Sequence, residues 1–292
     1  MTPLFSFLLC SLWSPPRTLS HLPAHDFPEV SGLASSQDGR SWFAVNDSGP
    51  GEVRVLSRDG RPQSVVKIDG YRKVKDLEAI ARGPCSGSSC LFLADIGDNG
   101  RNRRSIDVIA IREPERGATR ATIHRQWSLR YPDRAHDAEA FVVAPNGDFF
   151  IFTKEYTSGR PPEARPTNAF RWSPGSGDSG TLEAWGGLDL KALVPESAPT
   201  GQIVTDASLA AGRWMLLTYD HALEMSAEKL SAPLDGRTWR RDRDYRKVEL
   251  DSLAQQESLA LSPDGRMFVY SSESEDGDEN PPFLGVDCQN DK

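Results

Sequence analysis

Five stretches of this chain carry the same short design, and no other feature limits the fold so strongly. They are 30-VSGLASSQDGRSWFAVNDSG-49, 76-DLEAIARGPCSGSSCLFLADIGDN-99, 136-HDAEAFVVAPNGDFFIFTKE-155, 204-VTDASLAAGRWMLLTYD-220 and 255-QQESLALSPDGRMFVYSSE-273. Each begins with a short apolar run holding an acid or amide near its start. A turn follows, and the chain returns as an apolar run that ends in polar residues. Asp38-Gly39, Asn146-Gly147 and Asp264-Gly265 are dipeptides suited to tight hairpins. With Gly32, Glu78, Glu139, Ala207 and Glu257 as rough equivalents, the spacings are 46, 61, 68 and 50 residues. A period of about 50 residues with four short strands is the signature of a propeller blade.

The intervals supply the remaining strands. Strand-like runs cover 52–57 and 63–68, then 107–112 and 122–130, then 169–172 and 182–188, then 222–225 and 247–250. The third pair follows a loop rich in proline, with Pro161, Pro162 and Pro166. After the fifth repeat only 283–286 remains, so the last blade lacks an outer strand. Residues 18–22 can supply it and close the ring, removing the open sheet edges of an unclosed array. The predicted fold is an all-β propeller of five four-stranded blades over residues 18–292. A sixth blade hidden in the long third interval, a β-sandwich, or two small β domains are the alternatives. The best helical candidate, 222–230, already reads as a strand and a turn.

A chain of 292 residues with 38% hydrophobic content is long enough for such a domain, and a net charge of −8 argues against a nucleic-acid partner. The start, MTPLFSFLLCSLW, is apolar but too short to span a bilayer, and resembles the core of a signal peptide. Residues 1–17 are accordingly expected to be a leader, and the protein to be extracytoplasmic, periplasmic or secreted, and monomeric. Cys85 and Cys90 enclose Ser-Gly-Ser-Ser, and a local disulfide there fits an oxidising compartment. No second Cys or His pair has zinc-ligand spacing. Cys288 loses its possible partner Cys10 if a leader is removed.

In a propeller the first strands line the central channel, so their acids converge. Those acids are Asp76, Glu78, Asp137, Glu139, Asp206 and Glu257. As a strand, DLEAIA would point Asp76 and Glu78 to one side. In the first repeat, Glu29 and Ser31 are only loosely in register. Carboxylates crowded together need protonation, basic partners or a cation. Oxygen donors without a Cys/His set suit Ca²⁺, so a calcium ion on the channel axis is one expectation. The other is a metal-free network that ties the acids to neighbouring backbone N–H groups, to Lys154 and to arginines.

The ends of the second strands form another set, on loops expected to ring a channel mouth and to bind a small molecule or a protein. It contains Asn46, Asp47, Asp95, Asp98, Asn99, Arg101, Lys154, Tyr219 and Glu273. The same residue types also build plain turns. Arg101, Arg103 and Arg104 could hold a phosphate or carboxylate, or form a solvated loop. Arg240, Arg241, Arg243 and Arg246 read as a solvated linker, and 273-ESEDGDEN-280 as a solvated acidic loop. G-x-S-x-G, H-E-x-x-H, P-loop and G-x-G-x-x-G signatures are absent from the sequence. Of the five histidines His136 abuts Asp137 and Glu139, and it reads either as a hydrogen-bonded partner of acids or as a base.

The segments NDSG, DLEAIARGP…CLFLADIGDN, HDAEAFVV…FIFTKE and QQESLALSPDGRMFVYSSE, spread over residues 30 to 275, resemble a group of exported bacterial β-propeller proteins of poorly defined function. That group is similar in design to phytase-like esterases, calcium-dependent apyrases and lactonases. The resemblance implies calcium and hydrolysis of phosphate or ester substrates. The dense acidic run of propeller phytases does not occur here. Two functions therefore stand as expectations: a cation-binding module, or a calcium-dependent hydrolase. In the hydrolase, Glu78 or Glu139 would be the base, with His136 as a further candidate, and Arg101 or Lys154 would hold the anion.

Overall fold

The five repeats become the first two strands of five successive antiparallel four-stranded units, here blades I to V, of which the first two are joined into one larger sheet by parallel pairing of Pro62–Asp69 with Arg120–Arg130. The computed structural model describes residues 9–157, 163–274 and 280–289. Blade I comprises Val30–Ser35, Ser41–Asn46, Glu52–Ser57 and Pro62–Asp69, and blade II Ala79–Cys85, Ser88–Asp95, Ile106–Arg112 and Arg120–Arg130. Blade III comprises Ala138–Val143, Phe149–Thr153, Thr167–Trp172 and Glu183–Leu188. Blade IV comprises Val204–Ala210, Arg213–Thr218, His221–Ser226 and Tyr245–Glu249. Blade V has Gln256–Leu261, Met267–Ser272 and Pro282–Gln289, and takes Arg17–His21 as its outermost strand, with Thr18 opposite Leu284. The expected N-terminal closure is present, shifted by one residue. Among the described residues no helix is long and apolar enough to cross a membrane.

The first strands neighbour one another in a cycle, I to II to III to IV to V and back to I. This is the arrangement of a β-propeller. The first strands of blades I, III and V are buried throughout, whereas the outer strand of blade II alternates exposed and covered positions, because one of its faces meets water. The apolar side chains fall into clusters that sit between successive blades. Phe43 and Val45 of blade I meet Leu91 and Leu93 of blade II, and Phe92 and Trp127 of II meet Phe141 and Phe149 of III. Phe152 of III stacks on Trp214 of IV, Met215 and Leu217 of IV meet Phe268 and Tyr270 of V, and Val269 of V joins Trp42 of I. Each blade therefore buries both faces, and none has a core of its own. Gly32 shows how closely the inner strands approach: a Cβ there would lie 2.8 Å from Ile80 N.

The channel narrows toward the far ends of the first strands. Leu33, Ile80, Val143, Leu209 and Leu261 meet around a void of only about 10 Å³. The other end opens as the mouth described below.

The N-terminal segment differs from expectation. Leu12–Trp13 pairs with Pro282–Gln289, Cys10 is disulfide-bonded to Cys288, and Trp13 is buried against Phe268. Cys288 is therefore partnered, and residues 10–17 of the expected leader are built into blade V. The Cys85–Cys90 disulfide forms as expected. The segment 222–230 is strand followed by a 3-10 turn, and a four-residue helix, Leu190–Leu193, went unforeseen. Residues 1–8 of the leader, Pro161 and Pro162, and 275–279 of the acidic loop lie outside the described residues.

Candidate cation site at the channel mouth

Two positions in each blade build the mouth. Near its start, the first strand of blades I, III, IV and V skips one residue in its pairing. Val30 and Gly32 pair with Asn46 and Val45, and Ala138 and Ala140 with Thr153 and Phe152. Val204 and Asp206 pair with Thr218 and Leu217, and Gln256 and Ser258 with Ser272 and Ser271. The skipped residues are Ser31, Glu139, Thr205 and Glu257. A bulge of this kind turns one side chain out of the ladder. In blade II pairing starts only at Ala79 opposite Ala94, and Glu78 stands just ahead of it, its N–H donating to Ala94 O at 3.1 Å. Asp76 and Glu78 thus precede a strand, contrary to the strand expected from DLEAIA. Thr205, rather than Asp206 or Ala207, is the blade IV counterpart of Glu78. The second position follows the end of each second strand: Asp47, Ile96, Lys154, Tyr219 and Glu273.

A cavity of about 430 Å³ opens there, lined by Asp47, Glu78, Asn99, Glu139, Lys154, Tyr156, Thr200, Ile203, Tyr219, Gln255, Glu257 and Glu273. It divides into two halves by charge. On the side of blades III and IV, the Lys154 ammonium lies 3.1 Å from both Glu139 and Glu257. It also sits 5.4 Å over the Tyr219 ring, and the Tyr219 hydroxyl donates to Glu257 at 2.6 Å. Burial alone would lower the Lys154 pKa, but Glu139 and Glu257 outweigh it and hold the ammonium well above its usual range. Burial pushes Glu139 up to about 8 despite Lys154.

On the side of blades V, I and II, among the described residues no cation forms an ion pair with Asp47, Glu78 or Glu273. Glu78 is 5% exposed. Its carboxyl group is hydrogen-bonded to the Asp76 carboxyl, and among the described residues no N–H or hydroxyl group donates to it. Burial first, then the charges of Glu139 and Asp76, raise Glu78 well above the usual carboxylate range, and burial raises Asp76. Burial, then Glu257, lifts Glu273 to about 8, and burial, then Glu29, lifts Asp47 to about 7. Asp47 Oδ1 is enclosed without a donor. Carboxyl groups brought together in this way share protons unless a cation arrives.

The remaining expected site residues serve the ring. Asp206 accepts from Leu259 N at 2.6 Å and Ala207 N at 2.7 Å, tying blade IV to V. Asp137 accepts from Asp98 N at 2.9 Å, tying III to II. Ser31 and Thr205 donate to Leu77 O and Gln256 O of the next blade. Asp95 is 2.8 Å from Arg103 and accepts from Tyr71 and Lys75, while Asp98 accepts from Arg103 N, so Arg103 pins the DIGDN loop. Arg101 donates to Lys154 O and lies 3.8 Å from Glu155. Asn46 donates to Asp26 O. His136 is buried with its ring nitrogens 2.9 Å from Glu155 and 3.0 Å from Asp133, outside the cavity lining. Arg246, read as part of a solvated linker, instead holds the Cys10 and Ser11 carbonyls.

Sequence reasoning missed Tyr156, Thr200, Ile203 and Gln255 in the lining. Tyr156 and Gln255 adjoin repeat motifs, and that adjacency was a usable signal. Thr200 and Ile203 come from the loop before blade IV, which the repeat does not mark.

The donors are hard oxygens, fitting Ca²⁺ or Mg²⁺ rather than zinc. Yet among the described residues no three His, Cys, Asp or Glu side chains converge as preset ligands of one ion.

No protein-family model and no curated protein matches the chain. Solved structures of similar fold include a luciferin-regenerating enzyme, at 10% identity over 93% of this chain and 94% of that one, with a TM-score of 0.47. The WD40 repeats of RRP9 match at 9% identity over 94% and 98%, TM-score 0.48. A putative 6-phosphogluconolactonase from Bacteroides uniformis matches at 16% identity over 89% and 67%, TM-score 0.40.

Proposed function

We propose that this protein is an extracytoplasmic binding module that takes up a cation at the mouth of its propeller. The observation that carries the reading is Glu78, a buried carboxyl group that lines the cavity and has, among the described residues, only the Asp76 carboxyl as its partner. Leaving a charge in that state is costly unless it is protonated or paired. Two disulfides support the compartment, and the resemblance to exported propellers agrees with it.

The hydrolase reading needs a free cation at the mouth to hold phosphate. Lys154 is committed to Glu139 and Glu257, and Arg101 is turned toward Glu155. These commitments favour the binding module.

Ca²⁺ is the inorganic candidate, held by the Asp76–Glu78 pair with water completing its shell. Titration calorimetry of the full chain with CaCl₂ tests the reading in two buffers of different ionisation enthalpy. Uptake with proton release is expected near pH 7.5, and the Glu78→Gln protein should lose it. If neither Ca²⁺ nor any other cation binds, the mouth is a closed polar network and the reading falls.

A further inference from the structure

We infer that the narrow end of the channel holds one small monovalent anion, of chloride size, between Arg82 of blade II and the hydroxyl groups of Ser35 and Ser208. The site is separate from the mouth and does not depend on what the mouth binds.

Arg82 is the sign of a ligand. The other partly buried arginines of the described residues all have acceptors. Arg54 and Arg103 lie 2.8 Å from Glu52 and Asp95, and Arg125, Arg171 and Arg213 also have carboxylates. Arg101, Arg237 and Arg246 donate to backbone carbonyls. Arg82 has neither a hydrogen bond nor an ion pair with any described residue, and its Nε is enclosed. Burial lowers its pKa, and the charge of Glu113 opposes the fall from beyond ion-pair distance. One Glu113 oxygen is already taken by Gln37 N, at 2.8 Å. A cation held partly out of water without a counter-charge is costly, and an anion beside it removes that cost.

Strand geometry sets the place. Ile80 and Arg82 share one side of their strand, and Ile80 joins the cluster of Ala34 and Phe43 on blade I. Arg82 therefore lies toward blade I, one step nearer the narrow end, where it lines the constriction together with Ser35 and Ser208. Ser208 Oγ accepts from Leu261 N at 3.0 Å, which leaves its own proton for another acceptor. The Ser35 hydroxyl has no acceptor among the described residues. Three donors, one of them charged, thus line this constriction, and no acid does.

The space selects the ion. About 10 Å³ holds one water-sized particle, so polyatomic anions are too large. Water would meet the donors and leave the charge unbalanced, whereas a halide meets both. Bound there, it ties blades I, II and IV together where the ring is tightest.

Two measurements on the full chain test the site. Crystals soaked in sodium bromide should show an anomalous peak beside the Arg82 guanidinium. The melting temperature should be about 3 °C higher in NaCl than in sodium gluconate, whose anion is too large to enter, at equal ionic strength. Arg82→Met should lose both the peak and the difference. If Arg82→Met does not fold, Ser35→Ala carries the comparison and should shrink the gain from chloride. A guanidinium bridged by water to Glu113, with no bromide beside it, would overturn the inference. So would a gain from chloride that survives Arg82→Met. A bromide peak with equal melting temperatures in the two salts would mean an adventitious ion only, and would overturn it as well.

Discussion

Glu78 at the mouth and Glu224 beneath the N-terminal segment are both buried carboxyl groups, yet their surroundings are opposite. Glu224 is 0% exposed and accepts from Cys10 N at 2.8 Å and Trp13 Nε1 at 2.9 Å, with Arg213 at 3.2 Å. Burial raises its pKa, and these partners oppose the rise. Every donor it needs comes from the chain itself, and they fasten the N-terminal segment across blades IV and V. Glu78 has comparable burial and only another acid beside it. One carboxylate closes the fold, and the other is left for something the fold does not contain. Burial alone distinguishes neither role; the supply of donors does.

Breaking the N-terminal fastening should have the largest effect. Glu224→Ala takes the acceptor from two buried N–H groups, those of Cys10 and Trp13, and one ion pair from Arg213, and about 4 kcal/mol of stability should be lost in urea unfolding. A loss below about 1 kcal/mol would show that the segment adds little to the ring. Cys288→Ser removes a link between residues 278 apart in sequence, and about 3 kcal/mol should go with it. Limited proteolysis of that variant should cut first between residues 9 and 17.

At the mouth the signs reverse. Lys154→Met strips two buried glutamates of their cation and should cost about 3 kcal/mol. Added 1-aminobutane should restore part of the lost melting temperature by refilling the ammonium subsite. Glu78→Gln removes a charge whose partner is another acid, so stability should stay within about 1 kcal/mol of wild type, on the stabilising side.

The smallest effect is a tilt in the pH profile. Asp47, at about 7, and Glu139 and Glu273, at about 8, hold protons in the folded state that the unfolded chain releases near its ordinary carboxylate values. Stability from these groups is complete below about pH 4 and is lost as pH rises through 7 and 8, by at most about 1.4 kcal/mol per pH unit for each proton. Unfolding midpoints measured from pH 5 to 9 should fall, and a bound cation should flatten the fall. A profile that rises over this interval would show that Glu139 and Glu273 are already ionised.

Much of this was legible in the repeat. Hairpin dipeptides, two apolar runs and the missing fifth outer strand together foretell the propeller and its N-terminal closure. The mouth residues Asp47, Lys154, Tyr219 and Glu273 follow from one rule, the residue after the second strand. Other assignments could not be read so directly. The bulge decides that Thr205 rather than Asp206 matches Glu139, and a one-residue skip leaves no mark in an apolar pattern. Cys10 and Cys288 lie at opposite ends of the chain, so only ring closure brings them together.

The sequence by itself determined the five repeats, their hairpins and the residues that follow each second strand, because the strand period and the repeat period are local properties. Only the tertiary structure decided which of the channel acids are compensated. That depends on distances the local pattern does not hold: Lys154 reaching Glu257, Asp206 reaching Leu259 N, and, among the described residues, only the Asp76 carboxyl reaching Glu78.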